Sequence, residues 1–212
     1  MKRNSPTKIV CVGRNYAAHA RELGNDVPPR PLLFLKPPSS VIGSGAAIVL
    51  PPDSNRVEHE AEIAVIIGKT AHRVSEEDAM DYVAGFAPLN DVTARDLQKL
   101  DVQFTRAKGF DTFCPIGEMV PADSVDWHDL VIIGRVNGEV KQKGHVKDMV
   151  FDIPHLIAFI SRVMTLVPGD VIATGTPEGV GPLANGDEVE IELAGLTSVR
   201  NPVIGFESVT TG

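Results

Sequence analysis

The chain has 212 residues, of which 43% are hydrophobic and 23% charged, as expected for a soluble globular domain with a substantial core. Its net charge of −8 argues against nucleic acid or an anionic membrane as a partner. The apolar run at residues 9–12 is too short for a signal peptide, and no stretch reaches transmembrane length. Cys11 and Cys114 lie too far apart in sequence to suggest a disulfide framework. We therefore expect one domain over residues 1–212 in a reducing cytoplasm.

The first elements are a strand and a short helix. Residues 8–12 are predicted as the strand, and Asn15 and Gly24 are the expected N-terminal cap and C-terminal end of the helix. His19 and Glu22 lie three residues apart on one face of this helix. A carboxylate beside an imidazole fixes its tautomer and raises its basicity, as a general base requires. An exposed pair without a function would have the same spacing.

Residues 25–31 contain three prolines and no periodicity, so they are predicted as a loop. Together with the short helix, this loop could form a mobile lid. Strands are predicted at residues 32–36 and 46–50, each followed by two prolines.

The next stretch predicts the element on which the site is built. Residues 63–67 form an apolar run rich in β-branched residues, which is typical of a buried strand. Side chains two residues apart on a strand share a face, so Glu60 and Glu62 point the same way. Two neighbouring carboxylates at the mouth of a buried strand repel each other unless a cation or a shared proton compensates them. The pattern therefore predicts a bound metal.

Residues 75–83 begin with Ser75 and an acidic first turn, which predicts a helix. A strand at residues 85–93 then leads into a helix at 94–99, with Asp91 near the junction. Asp91 is either a turn residue or the third oxygen ligand of a cation. Coordination by carboxylates alone suits Mg²⁺ or Mn²⁺ better than Zn²⁺.

Residues 106–117 are predicted as a loop that carries two cations. Lys108 is either an ordinary surface charge or, if it faces the carboxylates, a group that binds an anion and stabilises developing negative charge. Asn137-Gly138 predicts a hairpin, and residues 151–165 show the periodicity of a buried helix with Pro154 in its first turn.

Residues 174–182 form a loop rich in glycine and proline that lacks a dinucleotide fingerprint. Its backbone N–H groups and the Thr176 hydroxyl could bind a carboxylate, or the loop could be a plain connection. Strands are predicted at residues 188–193 and 198–204. Strands predominate without regular βαβ units, so we expect an α+β fold on a mixed sheet.

Short motifs extend in order along nearly the whole chain, from about residue 8 to 204. They are Val12-Gly13-Arg14-Asn15-Tyr16 with His19, Leu33-Phe34-Leu35-Lys36-Pro37, His59-Glu60-Ala61-Glu62, Asp91-Val92-Thr93-Ala94-Arg95-Asp96, Ala107-Lys108-Gly109-Phe110, Val136-Asn137-Gly138 and Thr174-Gly175-Thr176-Pro177-Glu178-Gly179-Val180-Gly181. With these motifs the chain resembles the fumarylacetoacetate hydrolase family, in its small single-domain branch.

The resemblance implies a strand-rich α+β fold, namely the mixed β-sheet roll of the family's C-terminal domain, and a homodimer. It also implies a site that holds Mg²⁺ or Mn²⁺. The metal ligands would be Glu60, Glu62 and Asp91, the catalytic residues His19, Glu22 and Lys108, and the substrate-binding residues Arg95, Gln98 and Thr176. His59 would point to the opposite face of its strand and have a structural role.

The resemblance further implies a small 2-oxo or 2,4-dioxo acid as substrate. The first hypothesis is hydrolysis of acylpyruvates, such as acetylpyruvate and fumarylpyruvate, to pyruvate and a carboxylic acid, with oxaloacetate decarboxylation as a further activity. The alternative is an isomerase, decarboxylase or tautomerase of 2-hydroxyhepta-2,4-diene-1,7-dioate-like or oxaloacetate-like acids in aromatic catabolism. A third hypothesis, a metal-stabilised scaffold without catalysis, conflicts with the intact set of carboxylates.

Overall fold

The computed structural model describes residues 6–206, so the ends of the predicted domain, residues 1–5 and 207–212, lie outside the described residues. The strands in chain order are β1 (Ile9–Gly13), β2 (Leu32–Lys36), β3 (Val41–Ile42), β4 (Ile48–Leu50), β5 (Val57–His59), β6 (Ala61–Ile67), β7 (Val83–Asn90), β8 (Thr93–Ala94), β9 (Cys114–Pro115), β10 (Val120–Pro121), β11 (Val131–Val136), β12 (Glu139–His145), β13 (Val171–Ala173), β14 (Gly181–Pro182), β15 (Glu188–Leu193) and β16 (Thr197–Gly205). The helices are α1 (Ala17–Glu22), α2 (Arg95–Leu100), α3 (Thr105–Lys108) and α4 (Ile153–Val163). Single 3₁₀ turns lie at Pro38–Ser40, Ala79–Tyr82, Ala122–Ser124, Trp127–Asp129 and Val146–Asp148.

Two larger sheets carry the fold. The first has the strand order β10-β7-β6-β13-β1-β2, in which only β1 and β13 pair in parallel. The second has the order β12-β11-β15-β16-β4, with β16 and β4 parallel. The small sheet β14-β5-β8 and the pair β3-β9 complete the arrangement. The predicted strand-rich α+β fold on a mixed sheet is therefore confirmed.

Strand β6 lies in the interior of the first sheet, between β7 and β13. Ile63, Val65 and Ile67 belong to the main core together with the buried face of α4, whereas Ala64 belongs to a second apolar cluster that includes Cys11. A strand buried on both faces needs apolar residues at consecutive positions, which explains the continuous run in the sequence. Within residues 6–206, no helix combines the length and apolarity needed to cross a membrane.

Two sequence predictions about local structure are confirmed. Helix α4 lies inside the predicted span, and Asp152 caps it by accepting a hydrogen bond from the His155 N–H at 2.9 Å. The turn between β11 and β12 has positive φ at both Asn137 (52°) and Gly138 (80°). A type I′ hairpin requires positive φ at both central positions, and asparagine followed by glycine meets this requirement at low energetic cost.

Two other local predictions are wrong. The helix expected at residues 75–83 is reduced to a turn in which the Ser75 hydroxyl accepts from the Asp78 N–H, followed by the 3₁₀ turn at Ala79–Tyr82. Strand β7 begins at Val83, so the chain has too few residues left for a stable α-helix. The segment around Lys108, predicted as a loop, contains the helical turn α3.

Asn15 does not cap α1, because Tyr16 occupies the cap position and no side chain accepts a hydrogen bond there. The buried Asn15 side chain instead donates to the carbonyls of Phe151 and Thr174 at 3.0 and 2.8 Å, and accepts from the Phe151 N–H at 2.8 Å. These backbone groups would otherwise lack partners, which explains why this use of the amide is favoured. The C-terminal end follows the prediction, since Gly24 has φ +69°.

Candidate active site

All nine residues predicted for the site line one cavity of about 510 Å³. The structure thus brings together nine side chains from six parts of the chain. They are His19 and Glu22 of α1, Glu60 just before β6 and Glu62 within it, Asp91 just after β7, Arg95 and Gln98 of α2, Lys108 of α3, and Thr176 in the loop after β13. These residues lie up to 157 positions apart in the sequence. The cavity is therefore assembled by tertiary structure.

Glu60, Glu62 and Asp91 form a buried acidic triad. Antiparallel pairing of Ala61 with Asn90 brings the start of β6 beside the end of β7, and the Asp91 N–H donates to the Glu60 carbonyl at 2.9 Å. One oxygen from each of the three carboxylates lies within 4.8 Å of the other two. Carboxylate oxygens at this spacing are suitable ligands for a hard divalent cation.

The charges around the triad are almost balanced. Among the described residues the buried network comprises four carboxylates and three cations, namely Glu58, Glu60, Glu62 and Asp91 with Lys36, Arg95 and Lys108. One carboxylate therefore has no buried cation to match it. Isolated buried charge is costly, so the donor set fits an additional positive ion.

Glu62 is the carboxylate without a matching cation. It forms no salt bridge within residues 6–206, and it accepts a hydrogen bond from the Gly175 N–H at 2.8 Å. Burial, reinforced by the negative charges of Asp91 and Glu60, raises the pKa of Glu62 well above its usual value. Burial also disfavours ionisation of Glu60, but Lys108 and Arg95 outweigh it and hold the pKa of Glu60 well below its usual value.

Two lysines contact Asp91, one on each carboxylate oxygen. Lys108 Nζ donates to Asp91 Oδ2 at 2.6 Å, to Glu60 Oε2 at 2.8 Å and to the Thr93 hydroxyl at 2.8 Å, so its three hydrogens are all used. Burial lowers the pKa of Lys108, but Asp91 and Glu60 outweigh this effect and raise it above its usual value. Lys108 is therefore a cation in this structure.

Lys36 is the second of these lysines, and it was not among the site residues predicted from the sequence. Its Nζ donates to Asp91 Oδ1 at 2.6 Å and to the Val92 carbonyl at 3.2 Å, and the residue is 1% exposed. The available signal was a charged residue inside the otherwise apolar motif at the end of β2. A lysine at such a position is buried only if it is paired.

Arg95 is held by three neighbours. Its Nε donates to Glu58 Oε2 at 2.7 Å, its Nη1 donates to Gln98 Oε1 at 2.6 Å, and its Nη2 donates to Glu60 Oε1. Glu58 is buried and also accepts from Arg56 at 2.6 Å. Glu58, which no sequence pattern marked as a site residue, orients Arg95 toward the metal-ligand candidate Glu60.

His19 and Glu22 form a pair in the cavity wall. His19 Nδ1 lies 3.2 Å from Glu22 Oε2, and the pair is only partly shielded from solvent, because His19 is 5% exposed whereas the Glu22 side chain is 33% exposed. An ionised carboxylate can only accept, so the neutral imidazole carries its hydrogen on Nδ1 and leaves Nε2 to act as a base. The Glu22 carboxylate also accepts from the Gly179 N–H at 3.0 and 3.2 Å.

Thr176 uses the hydrogen of its hydroxyl within the protein. Its hydroxyl donates to the Ala61 carbonyl at 2.9 Å and accepts from Gln142 Nε2 at 2.7 Å. Because its hydrogen is used, the hydroxyl can offer only a lone pair to the cavity, and donation to a carboxylate, one of the two possibilities that the sequence left open, does not fit this arrangement. His59 does not line the cavity, and its Nδ1 contacts Gln142 Oε1 at 2.9 Å, in agreement with a structural role.

Comparison with known proteins identifies relatives over almost the whole chain. The family model described as fumarylacetoacetate (FAA) hydrolase C-terminal matches residues 8–204. The protein named oxaloacetate tautomerase FAHD1, mitochondrial, from Arabidopsis thaliana is 50% identical over 199 residues, which cover 92% of this chain and 89% of that protein.

Two solved structures share the fold. The 5-carboxymethyl-2-hydroxymuconate delta-isomerase from Mycobacterium smegmatis has a TM-score of 0.88 and 45% identity, covering 95% of this chain and 80% of that chain. The fumarylpyruvate hydrolase from Pseudomonas aeruginosa, solved in complex with Mn²⁺ and pyruvate, has a TM-score of 0.87 and 32% identity, covering 93% and 89%. The activities in their names differ, whereas the fold is shared. The chain therefore belongs to the fumarylacetoacetate hydrolase family of enzymes.

Proposed function

We propose that this protein interconverts the keto and enol forms of oxaloacetate, or of a close 2-oxo acid with a carboxylate on the neighbouring carbon, with the help of a divalent metal. The observation that carries the proposal is the shared cavity, in which the acidic triad and the His19–Glu22 pair face one ligand volume. A metal site beside a base is suited to proton transfer on the carbon next to a carbonyl.

The proposed metal ligands are Glu60, Glu62 and Asp91, and the ion is Mg²⁺ or Mn²⁺. When bound, such an ion supplies Lewis-acid stabilisation of the negative charge that develops on the 2-oxo oxygen. The buried oxygen donors and the unmatched Glu62 carboxylate support this assignment. The presence of Mn²⁺ in the fumarylpyruvate hydrolase structure is consistent with it.

His19 is the proposed base. Its Nε2 removes a proton from C3 of the keto acid, and the electrons of the C3–H bond form the C2–C3 double bond while the carbonyl electrons move to oxygen. Glu22 stabilises the resulting imidazolium, which then gives this proton to the enolate oxygen, so the enol forms and His19 returns to its neutral state. The three hydrogens of Lys108 are already used within the protein, so Lys108 has none left to donate to the enolate. It instead lowers the energy of the enolate through its positive charge.

Arg95, Gln98 and Thr176 are the proposed substrate-binding residues. Arg95 is positively charged and lies in the cavity wall, so it favours a dianionic substrate over a neutral one. Thr176 offers only a lone pair, so its partner on the substrate is a donor, such as the enol hydroxyl.

Hydrolysis of acylpyruvates is the second candidate function. It was the first hypothesis from the sequence, and the His19–Glu22 pair supports it because the same base can deprotonate a water that attacks the distal carbonyl. Tautomerisation is the preferred candidate because, unlike hydrolysis, it needs no water molecule positioned for attack. The relative named as a tautomerase is also 50% identical, whereas the fumarylpyruvate hydrolase is 32% identical.

A single set of assays separates these candidates. The purified protein is given oxaloacetate, acetylpyruvate or fumarylpyruvate with Mg²⁺, with Mn²⁺ or with EDTA, while enol absorbance and pyruvate are followed. A metal-dependent change in the enol absorbance of oxaloacetate without pyruvate supports the tautomerase, and pyruvate from an acylpyruvate supports the hydrolase. Pyruvate from oxaloacetate indicates decarboxylation, and no turnover of any substrate contradicts the proposed function.

We further propose that residues 8–204 form a single catalytic domain and that the protein acts as a homodimer in the cytoplasm. The family match over the same residues supports the single domain. Sedimentation velocity of the purified protein tests the dimer, and fractionation of the producing cell tests the compartment. If the protein sediments as a monomer at micromolar concentration, the proposed homodimer is contradicted.

A further inference from the structure

Gln142 is a buried residue of β12 that uses its whole side-chain amide within the protein. Its Oε1 accepts from the Ala61 N–H at 2.9 Å and from His59 Nδ1 at 2.9 Å. Its Nε2 donates to the Thr176 hydroxyl and to the Pro177 carbonyl, both at 2.7 Å. The orientation of the amide is fixed, because a backbone N–H can only donate and a carbonyl can only accept.

The two groups that accept from Gln142 lie in the middle of one loop, residues 174–181, here called the clamp loop. Near one end of this loop the Gly175 N–H donates to Glu62 of the acidic triad at 2.8 Å. Near its other end the Gly179 N–H donates to Glu22, the partner of His19, at 3.0 Å. The clamp loop therefore contacts both halves of the site through its backbone.

The backbone of the clamp loop is tightly packed at these contact points. Gly175 and Gly179 have φ of +98° and +94°, a region that side chains disfavour. A Cβ on Gly179 would lie 2.0 Å from the Lys141 carbonyl, and a Cβ on Gly144 would lie 2.8 Å from Pro177 Cβ. The loop thus lies directly against β12, and Gln142 is the side chain of that strand that bonds it.

We propose that Gln142 is a positioning residue, which fixes the clamp loop so that Gly175 holds the metal-ligand candidate Glu62 while Gly179 holds the proton-transfer pair through Glu22. The catalytic consequence rests on the proposed function, but the effects on the loop and on metal binding do not. Gln142 forms no hydrogen bond with the side chains of the triad or with His19, so it acts through the backbone that it holds, namely the clamp loop and the Ala61 N–H between Glu60 and Glu62.

The test replaces Gln142 with methionine, which has a similar volume but makes none of the four hydrogen bonds. Loss of an outer partner of a metal ligand typically weakens metal affinity or activity about 10–100-fold, and we expect a loss of this size in Mn²⁺ affinity by isothermal titration calorimetry. We also expect faster amide hydrogen exchange in residues 174–181, and at saturating Mn²⁺ a fall in kcat that exceeds the change in KM.

Asn201→Leu is the matched control. Asn201 is 1% exposed and its amide donates to the carbonyls of Gly43 and Ala46 at 2.9 and 2.7 Å, so the change removes buried hydrogen bonds outside the cavity lining. Both variants should lose stability, but only Gln142→Met should change Mn²⁺ affinity and exchange in the clamp loop. Equal Mn²⁺ affinity and equal exchange in Gln142→Met and Asn201→Leu would overturn the proposal.

A second variant covers the case in which Gln142→Met does not fold. Thr176→Val is nearly isosteric and removes one of the two acceptors of Gln142 Nε2 together with the hydrogen bond from Thr176 to the Ala61 carbonyl. It leaves the bond from Gln142 to the Pro177 carbonyl in place, so it should give a smaller change in the same direction in both measurements. If folded Thr176→Val has the same Mn²⁺ affinity as the wild type and the same amide hydrogen exchange in residues 174–181, the proposal is overturned. Absence of turnover by the wild-type enzyme would instead contradict the proposed function alone, because the two decisive measurements use no substrate.

Discussion

At the residue scale, most side chains of the site form ion pairs whose members are stable together and would be costly apart. Asp91 shows this most clearly, since a different buried lysine contacts each of its oxygens. Removing one partner from a buried ion pair leaves an uncompensated charge, which costs far more than loss of a surface pair. Substitutions at these positions should therefore affect stability as well as activity.

Lys36→Met tests this energetic coupling. We expect the metal-free protein to lose about 3–5 kcal/mol of unfolding free energy, because Asp91 Oδ1 loses its buried cation. Urea denaturation in EDTA measures the change. The exposed Lys143→Met on β12 is the control and should change stability by less than about 0.5 kcal/mol. Similar losses in the two variants would show that Lys36 is not coupled to Asp91.

His19→Ala separates proton transfer from metal binding. His19 is paired with Glu22 and does not belong to the acidic triad, so the variant should bind Mn²⁺ with an affinity close to that of the wild type. Its kcat should fall about 10²–10⁴-fold, the usual contribution of a general base. His128→Ala, which removes an exposed imidazole, serves as the control in the same assays. Retention of wild-type turnover would exclude His19 as the base.

At the element scale, α1 is a six-residue helix without a side-chain cap, so local interactions alone do not hold it in place. Its position depends on contacts at its two ends. Asn15 bonds the preceding residues to Phe151 and Thr174, and Glu22 accepts from Gly179. A helix attached in this way can move as a unit when these contacts break, and the lid considered in the sequence analysis stays a prediction.

Asn15→Ala tests how α1 is attached. The change leaves the Phe151 N–H and the Thr174 carbonyl without this partner, and each unpaired buried group costs about 1–3 kcal/mol. We expect lower stability and faster amide exchange across residues 17–22, as measured by mass spectrometry. Asn55→Ala on the exposed surface should leave both unchanged. If exchange in α1 stays at the wild-type rate, the contacts of Asn15 do not hold the helix.

At the scale of the whole molecule, Asp170 connects Thr7 and Lys8, near the start of the described residues, to the six-stranded sheet, because it directly precedes the interior strand β13. Its carboxylate accepts hydrogen bonds from the Thr7 hydroxyl at 2.6 Å and from the Val167 N–H at 2.8 Å, and it pairs with Lys8. Burial alone would raise the pKa of Asp170, but Lys8, Thr7 and the Val167 N–H outweigh it and lower the pKa below its usual value. The native state therefore favours the ionised form.

This shift sets the sign of a pH effect on stability. With a lowered pKa in the native state, the contribution of Asp170 is fully present above the unfolded-state pKa of about 3.9 and is lost as the pH falls through the native-state pKa. Asp170→Asn should unfold at lower urea concentration than the wild type at pH 7, and the difference should shrink below pH 4. Urea titrations from pH 7 to pH 3 measure it. A difference that does not vary with pH would contradict the assignment.

The sequence by itself determined the elements whose signals are local or periodic. The β-branched run of β6, the Asn137-Gly138 turn and the apolar stripe of α4 are predicted correctly because backbone preference and burial agree at those positions. The same patterns, with the family resemblance, predicted nine site residues, and all nine lie among the residues that line the cavity.

Only the tertiary structure decided which partners the polar groups have. Lys36, Glu58 and Gln142 lie far in sequence from most groups they contact, and no periodicity marks a buried ion pair or a buried amide. Asn15 could cap a helix on local grounds, yet its amide satisfies buried backbone groups more than 130 residues away. Burial makes an unpaired polar group costly, so long-range hydrogen bonding outweighs local preference at these positions.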